Sequence, residues 1–155
     1  MALKLTLKPD EKIIVNGCEM RNSSRRHVMI IESHADVVRG HDLLDEGDAA
    51  TPVSRVYYLI QCVLVRANLR DKLVPVIQKD LATLATIFGG SNLSQIFEAA
   101  SFVSLSDYYK ALRALRPVMR YEAELLTFKV GQAVRDDFDM PAPPAAAPAV
   151  SEYAR

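Results

Sequence analysis

The sequence has few cysteines and no net charge, and each shortage excludes a class of protein. Its two cysteines, Cys18 and Cys62, lie far apart in the 155-residue chain and form no CxxC pair. This argues against a disulfide framework and a cysteine zinc site and favours reduced thiols in the cytoplasm. The 19 lysines and arginines balance 19 aspartates and glutamates. Any nucleic-acid site must therefore arise from local placement of charge.

The chain also lacks the short motifs of common catalytic and cofactor sites. It contains no GxSxG, P-loop or GxGxxG sequence, and Gly89-Gly90 is interpreted as the end of a helix. His34 lies beside Ser33, but catalytic triads are assembled from distant segments. Asp136-Asp137 has neither the spacing nor the glycine of a calcium loop. We therefore expect no enzymatic activity, no cofactor and no metal site.

No hydrophobic run is long enough for a membrane span. The longest apolar stretch, Val53 to Val65, is interrupted by polar residues. The N-terminal residues Met1 to Pro9 alternate between apolar and polar, unlike a signal peptide or an anchor. These patterns predict a cytoplasmic protein without a membrane partner.

The first 44 residues show the period of two that is typical of strands. Leu3, Leu5 and Leu7 alternate with polar residues, and Asn16-Gly17 is a strong signal for a type I′ hairpin turn. Further strands are predicted from Arg25 to Glu32 and, as a short piece, at Val37-Val38. Residues 1–44 are therefore predicted to form a small antiparallel β-module.

Beyond residue 45 the period becomes helical. Thr51-Pro52 is a typical helix start, and further helices are expected at about Leu69 to Phe88, Leu93 to Ala100 and Asp107 to Val134. Ser104 and Ser106 are candidate N-caps for the last helix, which Pro117 is expected to kink or divide. Residues 45–139 are predicted to be a helical region packed as one unit with the β-module. Residues 140–155, rich in proline and alanine, are predicted to be a disordered tail. The fold class is α+β: an antiparallel β-module, an α-helical bundle and this tail.

The basic residues supply the candidate binding sites. Seven lie in the β-module, against six acidic residues: Lys4, Lys8, Lys12, Arg21, Arg25, Arg26 and Arg39. Clustered on a small sheet they would form a phosphate-binding face, although charge alone favours an ordinary solvated surface. A second candidate is a stripe on the last helix, formed by Lys110, Arg113, Arg116 and Arg120.

Several segments resemble the FlbT family. The resemblance rests on the opening from Leu3 to Gly17, on Arg25-Arg26, on Thr51-Pro52, on the segment from Tyr109 to Pro117 and on Tyr121-Glu122. It spans roughly residues 3 to 130. The family consists of flagellar regulators of alphaproteobacteria, described as post-transcriptional repressors that associate with the 5′ untranslated region of flagellin mRNA and favour its decay. Some relatives activate flagellin expression instead.

The resemblance implies that the flagellin mRNA 5′ untranslated region is the partner. Another flagellar regulatory protein and a second copy of the chain are further candidate partners. The order of features in residues 3 to 44 is also similar to that of the CsrA family, small RNA-binding dimers in which the counterpart of Val38 to Asp42 contacts RNA. We therefore expect Arg25, Arg26 and Arg39 to contact RNA, with support from Lys4 and Lys8. The alternative is a protein-interaction adaptor that reaches RNA only through a partner.

Overall fold

The computed structural model describes the backbone of residues 2–139 and the side chains of residues 2–128. Five strands precede four α-helices. The strands are β1 (Leu3–Leu7), β2 (Lys12–Val15), β3 (Cys18–Arg21), β4 (His27–Ile31) and β5 (Val37–Val38). The helices are α1 (Pro52–Val65), α2 (Arg70–Ala85), α3 (Gly90–Ser104) and α4 (Tyr108–Asp139). The α+β class and the N-terminal antiparallel strands are confirmed. The predicted tail, residues 140–155, lies outside the described residues.

The strands form two small antiparallel sheets. One is a two-stranded ribbon in which β1 pairs with β4, from Leu3 opposite Ile31 to Leu7 opposite His27. The other has the order β3-β2-β5. The leucine alternation in β1 explains the inner face, because Leu5 and Leu7 are buried together with Ile13 of β2. The predicted strand period is thus confirmed.

The hairpin between β2 and β3 has the predicted two-residue turn. Val15 is opposite Cys18, and Asn16 and Gly17 have φ angles of 49° and 80°. Two positive φ values are the requirement of a type I′ turn, which favours asparagine followed by glycine. A Cβ on Gly17 would lie 3.0 Å from the carbonyl oxygen of Leu64, so the turn also packs closely against the end of α1.

Side-chain caps mark the starts of α1 and α4. Thr51 and Ser54 form a capping box before α1, as the Thr51-Pro52 pair predicted. The predicted caps Ser104 and Ser106 of α4 were wrong. Ser104 ends α3, and it is Asp107 whose carboxylate accepts the backbone N–H of Lys110 at 3.2 Å. Asp107 directly precedes Tyr108, the first helical residue, and therefore holds the N-cap position. Ser106, one residue earlier, has a φ of 59° and not the extended backbone of an N-cap.

The length of α3 and the effect of Pro117 on α4 differ from the predictions made from the sequence. Helix α3 is longer than predicted, because it begins at Gly90 and continues to Ser104. Pro117 does not divide α4. Proline has no N–H, so Pro117 leaves the backbone carbonyl of Arg113 without its helical hydrogen bond. Both residues lie on the exposed side of α4, where this carbonyl remains accessible to water.

The chain divides into two compact units, Met1–Met119 and a second unit that begins at Arg120. In the first, one core joins strands and helices, because Ile14 and Val38 cluster with buried residues of α1 to α4 such as Tyr57 and Leu112. The packing of residues 45–139 as one unit with the β-module stays a prediction. Among the described residues, no helix is both long enough and apolar enough to cross a membrane.

The hairpin turn yields a stability prediction. Gly17→Ala should lower the free energy of unfolding by about 1–2 kcal/mol, because an L side chain is strained at this φ and its Cβ crowds the Leu64 carbonyl. Denaturant titration measures the loss. The matched control is Gly47→Ala, whose Cβ meets no atom within 4 Å and which should change stability by less than about 0.5 kcal/mol. Equal effects of both substitutions would contradict this account of the turn.

Candidate functional site

The outer side of the β1–β4 ribbon carries an unusual mixture of basic and aliphatic side chains. Lys4 is opposite Ile30, and Thr6 is opposite Val28. Cross-strand partners share one face of a sheet, and this face is turned away from buried Leu5 and Leu7. Val28 and Ile30 are 54% and 60% exposed. We call these four residues the ribbon face.

A single asparagine brings further cations to one end of the ribbon. The side-chain amide nitrogen of Asn22 donates to the carbonyl oxygens of Lys8 and Arg25, each at 2.8 Å, and to that of Leu7 at 3.3 Å. Its amide oxygen lies 3.1 Å from Nδ1 of His27. The end of β1 is thereby held against the start of β4. The sequence indicated only a polar turn here, because no local pattern marks a side chain that bridges two strands.

Four of the five predicted site residues have free, exposed side chains. Lys4, Lys8, Arg25 and Arg26, which we call the ribbon cations, are all exposed. Within the described part of the chain, their side chains take part in no hydrogen bond or ion pair. These four positive charges are therefore not paired within the described residues, and the whole chain is neutral. Lysine and arginine side chains that neutralise the phosphates of a nucleic acid release the counterions condensed on it, and this release favours binding.

The fifth predicted residue, Arg39, is placed differently. Its Nε donates to Oε2 of Glu11 at 3.0 Å, and its Nη2 donates to the carbonyl oxygen of Thr6 at 2.8 Å. The Arg39 side chain is 28% exposed and that of Glu11 is 10% exposed. Arg39 therefore joins β1 to the segment that follows β5. Its guanidinium is engaged within the protein, and its partner Glu11 was read from the sequence only as part of a turn.

The Glu11–Arg39 pair is strongly ionised. The pKa of Glu11 is lowered from 4.5 to about 2, because Arg39 hydrogen bonds to the carboxylate and the backbone N–H of Lys8 donates to it at 3.0 Å. Partial burial acts in the opposite direction without prevailing. Gly40 lets the two segments approach, since a Cβ there would lie 2.9 Å from Cγ of Glu11 and 3.1 Å from the carbonyl oxygen of Lys12.

A groove beside this pair has balanced charge. Lys8, Lys12 and His41 line it together with Asp10 and Asp45. Nζ of Lys12 lies 3.9 Å from a carboxylate oxygen of Asp45. The acidic residues offset the basic ones, so the groove offers less attraction to an anion than the ribbon cations do.

The alternative basic stripe on α4 is largely occupied by intramolecular contacts. Lys110 pairs with Asp107 at 3.4 Å. Nη1 of Arg116 lies 3.4 Å from a carboxylate oxygen of Asp42. The guanidinium of Arg113 lies over the ring of Tyr109, 6.0 Å from its centroid. Arg120 begins the second unit. These contacts of Lys110 and Arg113 lie within the start of α4, and that of Arg116 joins α4 to the segment that follows β5.

Arg116 also contributes to a link between the β-module and the helices. The hydroxyl of buried Tyr57 in α1 donates to the backbone carbonyl of Asp42, and Nε of Arg116 approaches that hydroxyl at 3.4 Å. Burial raises the pKa of Tyr57, while the neighbouring Arg116 opposes the shift. The tyrosine therefore remains a neutral donor at physiological pH. The end of the β-module is fixed to α1 and α4 by this network.

Exposed lysine and arginine side chains are donors that bind anions such as phosphate. No group of three or more histidine, cysteine, aspartate or glutamate side chains in the described residues is arranged to hold a metal ion. The fold and the site define a small α+β protein with a β-ribbon that carries exposed basic side chains.

Comparison with known proteins identifies the family. The family model described as "Flagellar protein FlbT" matches residues 3–126, and the chain belongs to this family. The "Probable flagellum biosynthesis repressor protein FlbT" of Rhodopseudomonas palustris (strain TIE-1) is 34% identical over 131 residues, 82% of this chain and 99% of the relative. The protein of the same description from Caulobacter sp. (strain K31) is 32% identical over 132 residues, 81% and 97% of the two chains.

A third relative carries an unqualified description. The "Flagellum biosynthesis repressor protein FlbT" of Caulobacter vibrioides (strain ATCC 19089 / CIP 103742 / CB 15) is 30% identical over 131 residues, 81% of this chain and 90% of the relative. No solved structure matches this chain. The resemblance to FlbT seen in the sequence is thus confirmed.

The Glu11–Arg39 pair predicts how the free energy of unfolding depends on pH in the acid range. The folded-state pKa of Glu11 is below its ordinary value, so the pair stabilises the fold fully above about pH 4.5 and loses this contribution as the pH falls towards 2. At neutral pH, Glu11→Gln should lower the free energy of unfolding by about 2 kcal/mol. Denaturant titrations between pH 7 and pH 2 should show the difference from wild type shrinking across this window.

The control for this prediction is Glu19→Gln, which removes an exposed carboxylate that has no ion-pair partner among the described residues. It should leave the acid dependence of wild type unchanged. A Glu11→Gln deficit that is the same at every pH would mean that the ionised carboxylate does not provide the stabilisation.

Proposed function

We propose that this protein represses flagellum biosynthesis after transcription, by binding the 5′ untranslated region of flagellin mRNA and promoting its degradation. The observation that carries the proposal is the set of ribbon cations, four exposed side chains without an intramolecular partner in the described residues. Membership of the FlbT family and the descriptions of its relatives support a repressor role in flagellar regulation. FlbT is a regulatory family and not a known enzyme family.

The chemistry of the ribbon cations suits a single-stranded leader. Arginine binds phosphate through a planar fork of donors, and lysine acts as a mobile point charge. Asn22 joins the backbone carbonyls of Lys8 and Arg25, and in this proposal one stretch of the RNA backbone meets both side chains. Thr6 adds a hydroxyl on the ribbon face, and a hydroxyl both donates and accepts hydrogen bonds with base edges. Arg39 serves in this proposal as a positioning residue that holds β1.

Repression by this route requires no catalytic residue. A protein bound to the leader occludes ribosome access or exposes the message to cleavage, and cellular nucleases complete the decay. Such an activity belongs in the cytoplasm, where the message is translated.

A second candidate function is a protein-interaction adaptor that reaches RNA only through another flagellar regulatory protein. The zero net charge of the chain favours it, because no global field draws the protein to RNA. The two functions differ in their response to salt. Direct binding to phosphates weakens steeply as salt rises, whereas docking to a protein partner through apolar contacts does not.

The direct-binding proposal is tested with purified protein, a flagellin 5′ leader and a scrambled leader across a salt series. Lys8→Ala/Arg25→Ala should weaken binding to the leader. It should make the plot of log affinity against log salt shallower by about 1.4, at about 0.7 for each phosphate contact on a single strand. The matched control is Lys72→Ala/Lys79→Ala, which removes the same charge from the exposed side of α2.

Two outcomes would contradict direct binding at the ribbon. Equal losses for the two double variants would indicate binding without a defined site and contradict the assignment to the ribbon. Absence of direct binding by folded wild-type protein, together with recovery of the leader only in the presence of a protein partner, would favour the adaptor.

A further inference from the structure

The two outer edges of the β1–β4 ribbon differ in whether other parts of the chain form hydrogen bonds with them. The edge of β1 is covered, because its Thr6 carbonyl accepts from Arg39 and the N–H of Lys8, one residue past its end, donates to Glu11. The edge of β4 has no such cover. Within the described residues, no hydrogen bond from outside the ribbon reaches the backbone of Val28 or Ile30.

The direction of the free backbone groups of β4 follows from Thr6. Because the Thr6 carbonyl points away from β4, Thr6 and Val28 form the pair that exchanges no hydrogen bonds across the ribbon. The N–H and C=O of Val28 therefore point to the free edge of β4. Ile30, two residues further along the strand, points its groups the same way.

Strand β4 also lacks the usual protection of an exposed edge. Natural edges carry proline, lysine or a bulge that prevents further pairing. The sequence of β4 is His-Val-Met-Ile-Ile, and it pairs in unbroken register with β1. Two of its aliphatic side chains, Val28 and Ile30, are more than half exposed. This edge is suited to accept another strand.

We infer that the free edge of β4 pairs with β4 of a second copy of this chain, antiparallel about a two-fold axis at Met29. This register places Val28 opposite Ile30 of the second copy, with the free N–H and C=O groups of both residues facing each other. Each such pair exchanges both of its N–H···O bonds, and the aliphatic side chains meet on the ribbon face.

Charge complementarity selects this register. One residue beyond the ends of β4, Arg26 comes opposite Glu32 of the second copy, and symmetry repeats the pair. Arg26 and Glu32 are each an even number of positions from Val28, so their side chains lie on the same face as Val28, the ribbon face. Glu32 is exposed and has no ion-pair partner in the described part of the chain. An axis at Val28 would instead put Arg26 opposite Ile30, and an axis at Ile30 would put Glu32 opposite Val28.

The dimer would join two ribbons into one four-stranded sheet with a continuous ribbon face. Lys4, Lys8 and Arg25 of both copies would remain free. A guanidinium has five N–H donors, so Arg26 can bind a carboxylate and retain donors for a phosphate. The inference does not depend on RNA binding, because the pairing involves only the chain itself.

Sedimentation equilibrium of the purified full chain tests the inference through a charge exchange. Wild type should be a concentration-dependent dimer. Arg26→Glu and Glu32→Arg should each raise the dimer dissociation constant roughly tenfold or more, since symmetry places two like-charge pairs in the interface. Combining Arg26→Glu with Glu32→Arg should restore the wild-type constant. All of these positions are exposed, and circular dichroism verifies that each variant is folded.

Amide hydrogen exchange provides a second measurement that requires no substitution. The N–H groups of Val28 and Ile30 should become protected as protein concentration rises. The N–H of Lys4, on the covered edge of β1, should show no concentration dependence. A monomeric wild type at high micromolar concentration would overturn the inference, as would a dimer that both single reversals leave intact. An edge that binds only an extended peptide of another protein would give the monomeric result.

Discussion

The ion pair between Glu11 and Arg39 determines how the β-module is assembled. It connects the turn after β1, the carbonyl of Thr6 and the segment that follows β5, which are up to 33 positions apart in the chain. Hydrogen bonds to ionised groups are shorter and stronger than those between neutral groups, and partial burial protects them from screening. Gly40 allows the approach that these bonds require. Without this pair, β1 would be held on one side only, by β4.

The consequences of this pair reach the candidate site. Because Arg39 occupies the edge of β1, the ribbon can extend only through β4, and the direction in which the Thr6 carbonyl points sets which groups of β4 are free. Asn22 then fixes the far end of the ribbon by joining the backbone carbonyls of Lys8 and Arg25. The nearby acidic residue Glu11 is thus paired with Arg39 and not with one of the ribbon cations. The protein as a whole is neutral, but the ribbon presents four basic side chains that have no ion-pair partner in the described residues.

The helices share one hydrophobic core with two strands of the module. Ile14 and Val38, from β2 and β5, enter the same core as the buried residues of α1 to α4. The Tyr57 hydroxyl and Arg116 hold Asp42 at the end of the module. Burial of apolar surface supplies the stability, and these polar contacts set the orientation. On the stripe of α4 that the sequence predicted as a second binding site, Arg116 makes such a contact, and Lys110 and Arg113 contact residues at the start of their own helix. The ribbon is therefore the better candidate.

Local patterns determined much of the fold. The leucine alternation of β1, the Asn16-Gly17 turn and the Thr51-Pro52 helix start each act through neighbours in sequence, so the sequence alone predicted them, and the FlbT resemblance was readable from the same segments. Tertiary structure decided what depends on distant partners: that Arg39 binds Glu11 while Arg25 and Arg26 are free, that Asn22 bridges two strands, and that β1 pairs with β4. The sequence determines which side chains are charged. Whether such a charge is available to a ligand depends on which distant group the fold places beside it.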